Sequence, residues 1–304
     1  MRTIPGQWSF TRWTSVEQLE ALDVRHPLFS ARLFLQGAHL THFAPTGHAN
    51  WLWLSDSARF ETGRAIRGGI PICWPWFGVP DRNPPDVRET IRTRSAHGFA
   101  RNEVWQLEEV VEATDSVEIS LSLLANDDFK DRWRGHASAL LTFRFTRDAC
   151  QIALTTTNLG QSALAFSQAL HSYLPAAISD TVITGLDGAS YTDTLKDWAQ
   201  FRQQGDVTFP GEVDRIYQTG GEAITVHSGS QCLHLTSSGS CSAVIWNPGP
   251  DKARQLSDFS AQDWKSMVCV ETANVLHDFR LLNSGQSHTL GVMITRSHVT
   301  KEHS

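Results

Sequence analysis

The chain is short of cysteine, of long apolar runs and of clustered charge. Its five cysteines, Cys73, Cys150, Cys232, Cys241 and Cys269, are odd in number and contain no C-x-x-C pair, which argues against zinc-ribbon and thioredoxin-like chemistry. No stretch is long enough to span a bilayer as a helix, and the opening residues carry no apolar core of secretory-signal length. A reducing, cytoplasmic setting without membrane attachment is therefore expected. Only 19% of residues are charged, the net charge is −6, and no basic run suggests a nucleic-acid partner. The histidines fall in no metal-ligand spacing, the lysine and serine of a phosphate-cradling P-loop are missing, and no Gly-x-Ser-x-Gly elbow marks a serine hydrolase. No repeat of fixed period is visible.

What is present is apolar and β-like. Hydrophobic residues make up 40% of the 304 positions, with 11 tryptophans, so a sizeable core can be buried and disorder is excluded. Residues 1–27 read as a lead-in with a short helix over 15–22. From Leu28 the period becomes two: Phe29, Ala31, Leu33 and Leu35 alternate with their neighbours, and further runs follow at 39–43, 51–54 and 70–74. Strand patterns recur at 117–123, 137–145, 152–154, 163–173, 223–226, 231–236, 242–246 and 288–295. Short helices are expected near 127–133 and 257–264. Between them, 79–96 is polar, holds Pro80, Pro84, Pro85 and four arginines (Arg82, Arg88, Arg92, Arg94), and reads as an exposed loop of the kind that is functional or mobile. Many short strands separated by turn residues indicate an all-β sandwich or barrel, in one large domain over 1–304.

The chain's most informative stretch is 266–274, SMVCVETAN. Its short, partly β-branched apolar run reads as a strand, and alternation puts Met267, Cys269, Glu271 and Ala273 on one face. A carboxylate among apolar neighbours calls for an ion pair, a water-reaching strand end or a base of tuned pKa. His171 closes a face of small residues, Ala163, Ala165, Ser167 and Ala169, before Tyr173. That face either leaves room for a ligand or holds a histidine satisfied by the backbone. Arg67 precedes Gly68 and Gly69, which permit close approach of a ligand or a neighbouring strand. Arg67 and Arg101 suit a phosphate or sulfate dianion, since a guanidinium donates in a planar fork. His97 lies four residues before Arg101, and Asp214 could accept from sugar hydroxyls or pair with Arg215.

These pieces are ordered. RGGIPICWPWFG at 67–78, HGFARN at 97–102, LHSY at 170–173, DRIY at 214–217, WNPG at 246–249 and VCVETA at 268–273 together resemble the hexose-6-phosphate mutarotases, a branch of the galactose mutarotase-like superfamily. GLDG at 185–188 and YTDTL at 191–195 add to the likeness, which covers roughly 28–295. The resemblance implies a large antiparallel β-sandwich of the galactose mutarotase-like type with a few short helices and a sugar cleft on a concave face. It implies a catalytic pair at His171 and Glu271, phosphate-facing arginines at Arg67 and Arg101, a sugar-contacting Asp214 and a site-lining His97. It implies no cofactor and no metal and a small phosphosugar as partner; a monomer is expected by default, the sequence leaving the oligomeric state open. Two departures bear on specificity: the His171 block reads His-Ser-Tyr-Leu where His-Thr-Tyr-Phe is commoner, and the 79–96 loop is long and arginine-rich, which leaves open whether Arg82, Arg88, Arg92 or Arg94 contacts the phosphate. A protonated His171 facing an ionised Glu271 is expected, each raising the other's preference for charge.

Overall fold

A computed structural model describes residues 8–298. Two large sheets carry the architecture, and all their ladders are antiparallel. One has eight strands, in the spatial order Thr181–Thr184, Ile224–Ser228, Gln231–Ser238, Ser287–His298, Ala149–Asn158, Ala137–Thr146, Ser116–Ala125 and Gln106–Glu112. The other has seven, in the order Ala199–Arg202, Ser190–Asp193, Val213–Gln218, Ser242–Asn247, Met267–Asn274, Gln168–Pro175 and Ile72–Cys73. Period-two patterning decides how they meet. Val117, Ile119, Leu121, Leu141, Phe143, Phe145, Ile152 and Leu154 of the first sheet are buried in the same apolar cluster as Leu170, Leu174, Ile245, Val268 and Val270 of the second. The expected antiparallel β-sandwich is therefore the observed fold, and alternate residues of each sheet face away from the shared core.

Several local expectations give way to tertiary context. The lead-in is not one: Thr11–Val16 and Leu19–His26 form a hairpin that heads a four-stranded sheet with Phe29–Phe34 and His39–Pro45, so the 15–22 helix is absent. Leu19, Ala21, Leu22 and Val24 are buried there, and pairing with a strand on each side fixes the segment as extended. Residues 51–54 are not a strand. Trp51 N–H donates to Phe43, Trp53 N–H donates to Tyr173, and Leu54 bridges Gly68, stitching the four-stranded sheet to the seven-stranded one. The 163–173 run divides at Ser167: Leu164–Phe166 pairs with Arg280–Leu282, while Gln168–Pro175 enters the seven-stranded sheet. At the break, Ser167 Oγ accepts from Phe77 N–H and donates to Asn83 Oδ1.

The helices are shorter than expected. The 127–133 expectation reduces to one 3-10 turn at Asp127–Phe129, and 257–264 is irregular up to a turn at Asp263–Lys265. The 79–96 loop is pinned. It contains single turns at Pro80–Arg82 and Pro85–Arg88, buries Val87 and Asn83, and ties Asn83 Nδ2 to the Phe77 and Val79 carbonyls.

Candidate active site

The seven-stranded sheet is unusual in having both faces covered near its middle. All eight residues of Met267–Asn274 are buried, as are seven of the eight in Gln168–Pro175. The inner face serves the main core. On the outer face, register aligns side chains into rows across strands. One row runs Asp214, Trp246, Cys269, Tyr173, and the next runs Ile216, Val244, Glu271, His171. His171 and Glu271 are thus direct cross-strand partners, a hundred residues apart in the chain, with Nε2 and Oε1 3.3 Å apart. Two apolar clusters flank them. Trp53, Tyr173, Phe259, Met267 and Cys269 lie on one side, and Cys73, Ala169, Ile216, Val244 and Ala273 on the other.

Rings hold His171 in place. It stacks on Tyr173 with centroids 4.8 Å apart and planes 11° from parallel. Trp246 stands at 79° to His171, and His97 packs edge-on at 5.9 Å. The Tyr173 hydroxyl accepts from Arg67 Nη1 at 3.3 Å, which brings that guanidinium to the edge of the stack. Gly68 and Gly69 make this possible. Both have positive φ, and a Cβ on Gly69 would lie 2.3 Å from the Leu40 carbonyl oxygen. The close approach that the glycine pair permits is to neighbouring backbone.

His97 enters from the loop after the arginine-rich segment, with φ of 64°. Gly78 N–H donates to its Nδ1 at 3.3 Å, which makes Nε2 the protonated nitrogen of the neutral ring. Arg101 donates to the Ala96 carbonyl, its Nε is buried without a partner, and its charge acts on His39, His97 and His171. Asp214 does not pair with Arg215. Consecutive strand residues face opposite sides, and Arg215 reaches Asp193 at 3.6 Å instead. All six residues singled out from the sequence therefore meet around one outer face, through direct contacts or through their charges. Of the loop arginines, Arg82 lies over the Trp198 ring at 4.9 Å, a cation–π contact that sequence alone did not suggest.

The electrostatics overturn one expectation. His171 is pulled down to about 3, first by burial and then by the charges of Arg101 and Arg67. Glu271 is raised well above the usual carboxyl range, first by burial and then by Asp214. Both directions run against the expected ion pair: burial and the neighbouring charges favour the neutral form of each group. An ion pair loses here because two desolvated charges cost more than one short contact returns, and the arginines disfavour a third cation. Asp214 is also raised, chiefly by burial, and His97 is pushed far down by burial and Arg101. His171 Nδ1 and Glu271 Oε2 are buried without protein partners. Such atoms are uncommon, and these two leave hydrogen-bonding positions that a bound molecule or water can fill. Among the described residues, no group of three His, Cys, Asp or Glu side chains is placed to hold a metal ion.

The sandwich thus carries a His–Glu pair on its covered outer face, and comparison with known proteins gives the class to which such a chain belongs. The sequence model of the aldose 1-epimerase family matches residues 20–295, and the chain belongs to that family. It is 32% identical over 262 residues to an Escherichia coli (strain K12) protein named "putative glucose-6-phosphate 1-epimerase", covering 85% of this chain and 84% of that one. A plant relative of the same name, from Cenchrus ciliaris, is 30% identical over 259 residues, covering 81% of this chain and 75% of its own length. The crystal structure of a "putative mutarotase" from Salmonella typhimurium superposes with a TM-score of 0.86 at 28% identity, covering 97% of this chain and 96% of that one. A galactose mutarotase-like protein from Clostridium acetobutylicum shares the fold, with a TM-score of 0.75 at 12% identity over 95% of this chain and 99% of that one.

Proposed function

We propose that this chain is a hexose-6-phosphate mutarotase, interconverting the α and β anomers of an aldohexose 6-phosphate. The observation that carries the reading is the direct register of His171 and Glu271 on a face that also receives Arg67, Arg101, His97 and Asp214. Family membership supplies the reaction class, and the names of the relatives supply the phosphosugar.

Glu271 takes the proton of the anomeric hydroxyl while His171 gives one to the ring oxygen, and the bond from the anomeric carbon to that oxygen breaks. The aldehyde turns about its bond to the next carbon. Reclosure returns one proton to His171 and the other to the anomeric oxygen. No electron or group leaves, so proton transfer and C–O cleavage suffice. The ring-opened stage has a neutral His171 and a protonated Glu271, the same pattern that burial and neighbouring charges favour in the free protein. The substrate's phosphate dianion at Arg67 and Arg101 offsets the two charges that depress His171, raising its pKa toward the state that starts the reaction. The remote phosphate thereby orients the sugar and arms the acid. His97 presents Nε2–H to a hydroxyl, and Asp214 accepts from another. Among the described residues no helix is long and apolar enough to cross a membrane. A cytoplasmic, monomeric enzyme is the setting this reading assumes.

The test follows optical rotation of freshly dissolved α-glucose 6-phosphate. Wild type speeds anomerisation, and Glu271→Gln and His171→Ala each lose most of that acceleration. Wild-type rates in both variants would refute the assignment. Equal acceleration of glucose and glucose 6-phosphate would refute the phosphate's part in it.

A further inference from the structure

We infer that Trp246 is a substrate-binding residue, a flat wall on which the pyranose ring of the phosphosugar lies. The inference rests on the mutarotase reading and adds to it a contact with the sugar body. Register sets Trp246 between the two ends of the proposed site, with Asp214 opposite it on one neighbouring strand and Cys269, two residues before Glu271, on the other. Its ring stands at 79° to His171 and 82° to Tyr173, with centroids 6.1 Å away in each case. It therefore rises as a partition at right angles to the His171–Tyr173 stack, beside the group that must reach the ring oxygen.

Its hydrogen bonding separates it from five of the six buried tryptophans, the sixth, Trp51, being sealed in the core with its indole nitrogen unpaired. The indole N–H groups of Trp53, Trp74, Trp76, Trp105 and Trp133 each donate to a protein oxygen. Among the described residues Trp246 has no such acceptor, yet its nitrogen is not sealed away from solvent and its side chain is only half-buried. An aromatic side chain with one end apolar and a free N–H suits a sugar, which offers a C–H face to the ring and hydroxyls at its rim. The core does not need this indole. It packs at the edge of the small cluster around Trp53, Phe259 and Met267, outside the main apolar core.

The experiment compares Trp246→Phe, Trp246→Leu and Trp246→Ala with wild type, measuring KM and kcat on glucose 6-phosphate and the thermal midpoint of each protein. Leucine keeps apolar bulk without a flat face, and phenylalanine keeps the face without the N–H. Expected is a rise in KM of about tenfold for Ala and Leu, with kcat within a few-fold and most of the loss recovered by Phe. An unchanged KM in Ala or Leu, a kcat loss at constant KM, or a Phe variant as poor as Leu would each overturn the inference. Calorimetric titration with glucose 6-phosphate reads the same contact without turnover. A wild type that binds the sugar phosphate but does not anomerise it would sink the mutarotase reading while leaving the Trp246 contact to be judged by binding alone.

Discussion

The two large sheets share one core and treat their other faces in opposite ways. In the eight-stranded sheet, Ala137–Thr146 alternates strictly between buried and solvent-facing positions, and the outward side is a lattice of small hydroxyl pairs such as Thr155 with Thr289 and Thr157 with Ser287, both at 2.8 Å. In the seven-stranded sheet the outward side is itself covered, and there the chain buries the Glu271 carboxyl and the His171 imidazole and half-buries His97 and Asp214. Covering a second face with apolar residues would stabilise a sheet further. Covering it with titratable groups costs desolvation and leaves Glu271 Oε2 and His171 Nδ1 unpaired. The contrast separates the sheet that makes the fold from the sheet that gives up stability for chemistry.

The sharpest way to break that contrast is Glu271→Gln, a near-isosteric change. If the outer face is chemical, anomerisation falls by roughly 10²–10⁴-fold. Folding should respond in the other direction. Because Glu271's folded pKa is raised, the folded protein holds a proton that the unfolded chain releases above the ordinary carboxyl pKa, so the wild type is penalised as pH rises past that point. A neutral amide at this position carries no such penalty. The variant should therefore be at least as stable as wild type in urea at neutral pH, with any gain disappearing in acid below the normal carboxyl range. A variant both inactive and markedly unstable would make Glu271 a structural residue. The mirror experiment is Phe143→Ala in the other sheet, where a fully buried ring faces the shared core. It should cost about 3–5 kcal/mol by denaturant unfolding, while kcat/KM per folded molecule stays at the wild-type value.

Most of the eight-stranded sheet was legible in the residues, because alternation such as Val117, Ile119 and Leu121 against Glu118 and Ser120 is a signal internal to each strand. The site residues could be named because their blocks recur in a recognisable order. Their arrangement was less accessible. That His171 faces Glu271 and that Trp246 stands opposite Asp214 follow from register between strands far apart in sequence, and the Arg82–Trp198 contact joins two distant turns, none of which a local pattern encodes. The protonation expectation failed for a similar reason. It weighed the His–Glu attraction alone, whereas the outcome depends first on burial of both groups and then on the charges of Arg67, Arg101 and Asp214, which arrive from three other parts of the fold. The hairpin at 11–26 was missed because Leu19, Ala21, Leu22 and Val24 fit a helical turn as well as a strand until the neighbouring strand is present.

A smaller effect probes the electrostatics of the covered face directly. Asp214 is the charge that adds to burial in raising Glu271. Asp214→Asn removes it, so Glu271 should ionise more readily and the acid limb of the kcat/KM profile should move to lower pH. An acid limb that moves upward would mean that Asp214 does not act on Glu271 through its charge.

The smallest expected change belongs to the solvent-facing side of the eight-stranded sheet. Thr157→Val deletes one hydroxyl from the pair with Ser287 and leaves strand propensity and shape intact. Ser287 loses a partner that water can replace, since both side chains lie at the surface, so stability should change by no more than about 0.5 kcal/mol and kcat/KM should not change. That near-silence is what the comparison requires. A face that carries neither core packing nor chemistry should tolerate substitution, and a large loss of activity from Thr157→Val would mean that the two sheets communicate through the shared core and that the division of labour between them is wrong.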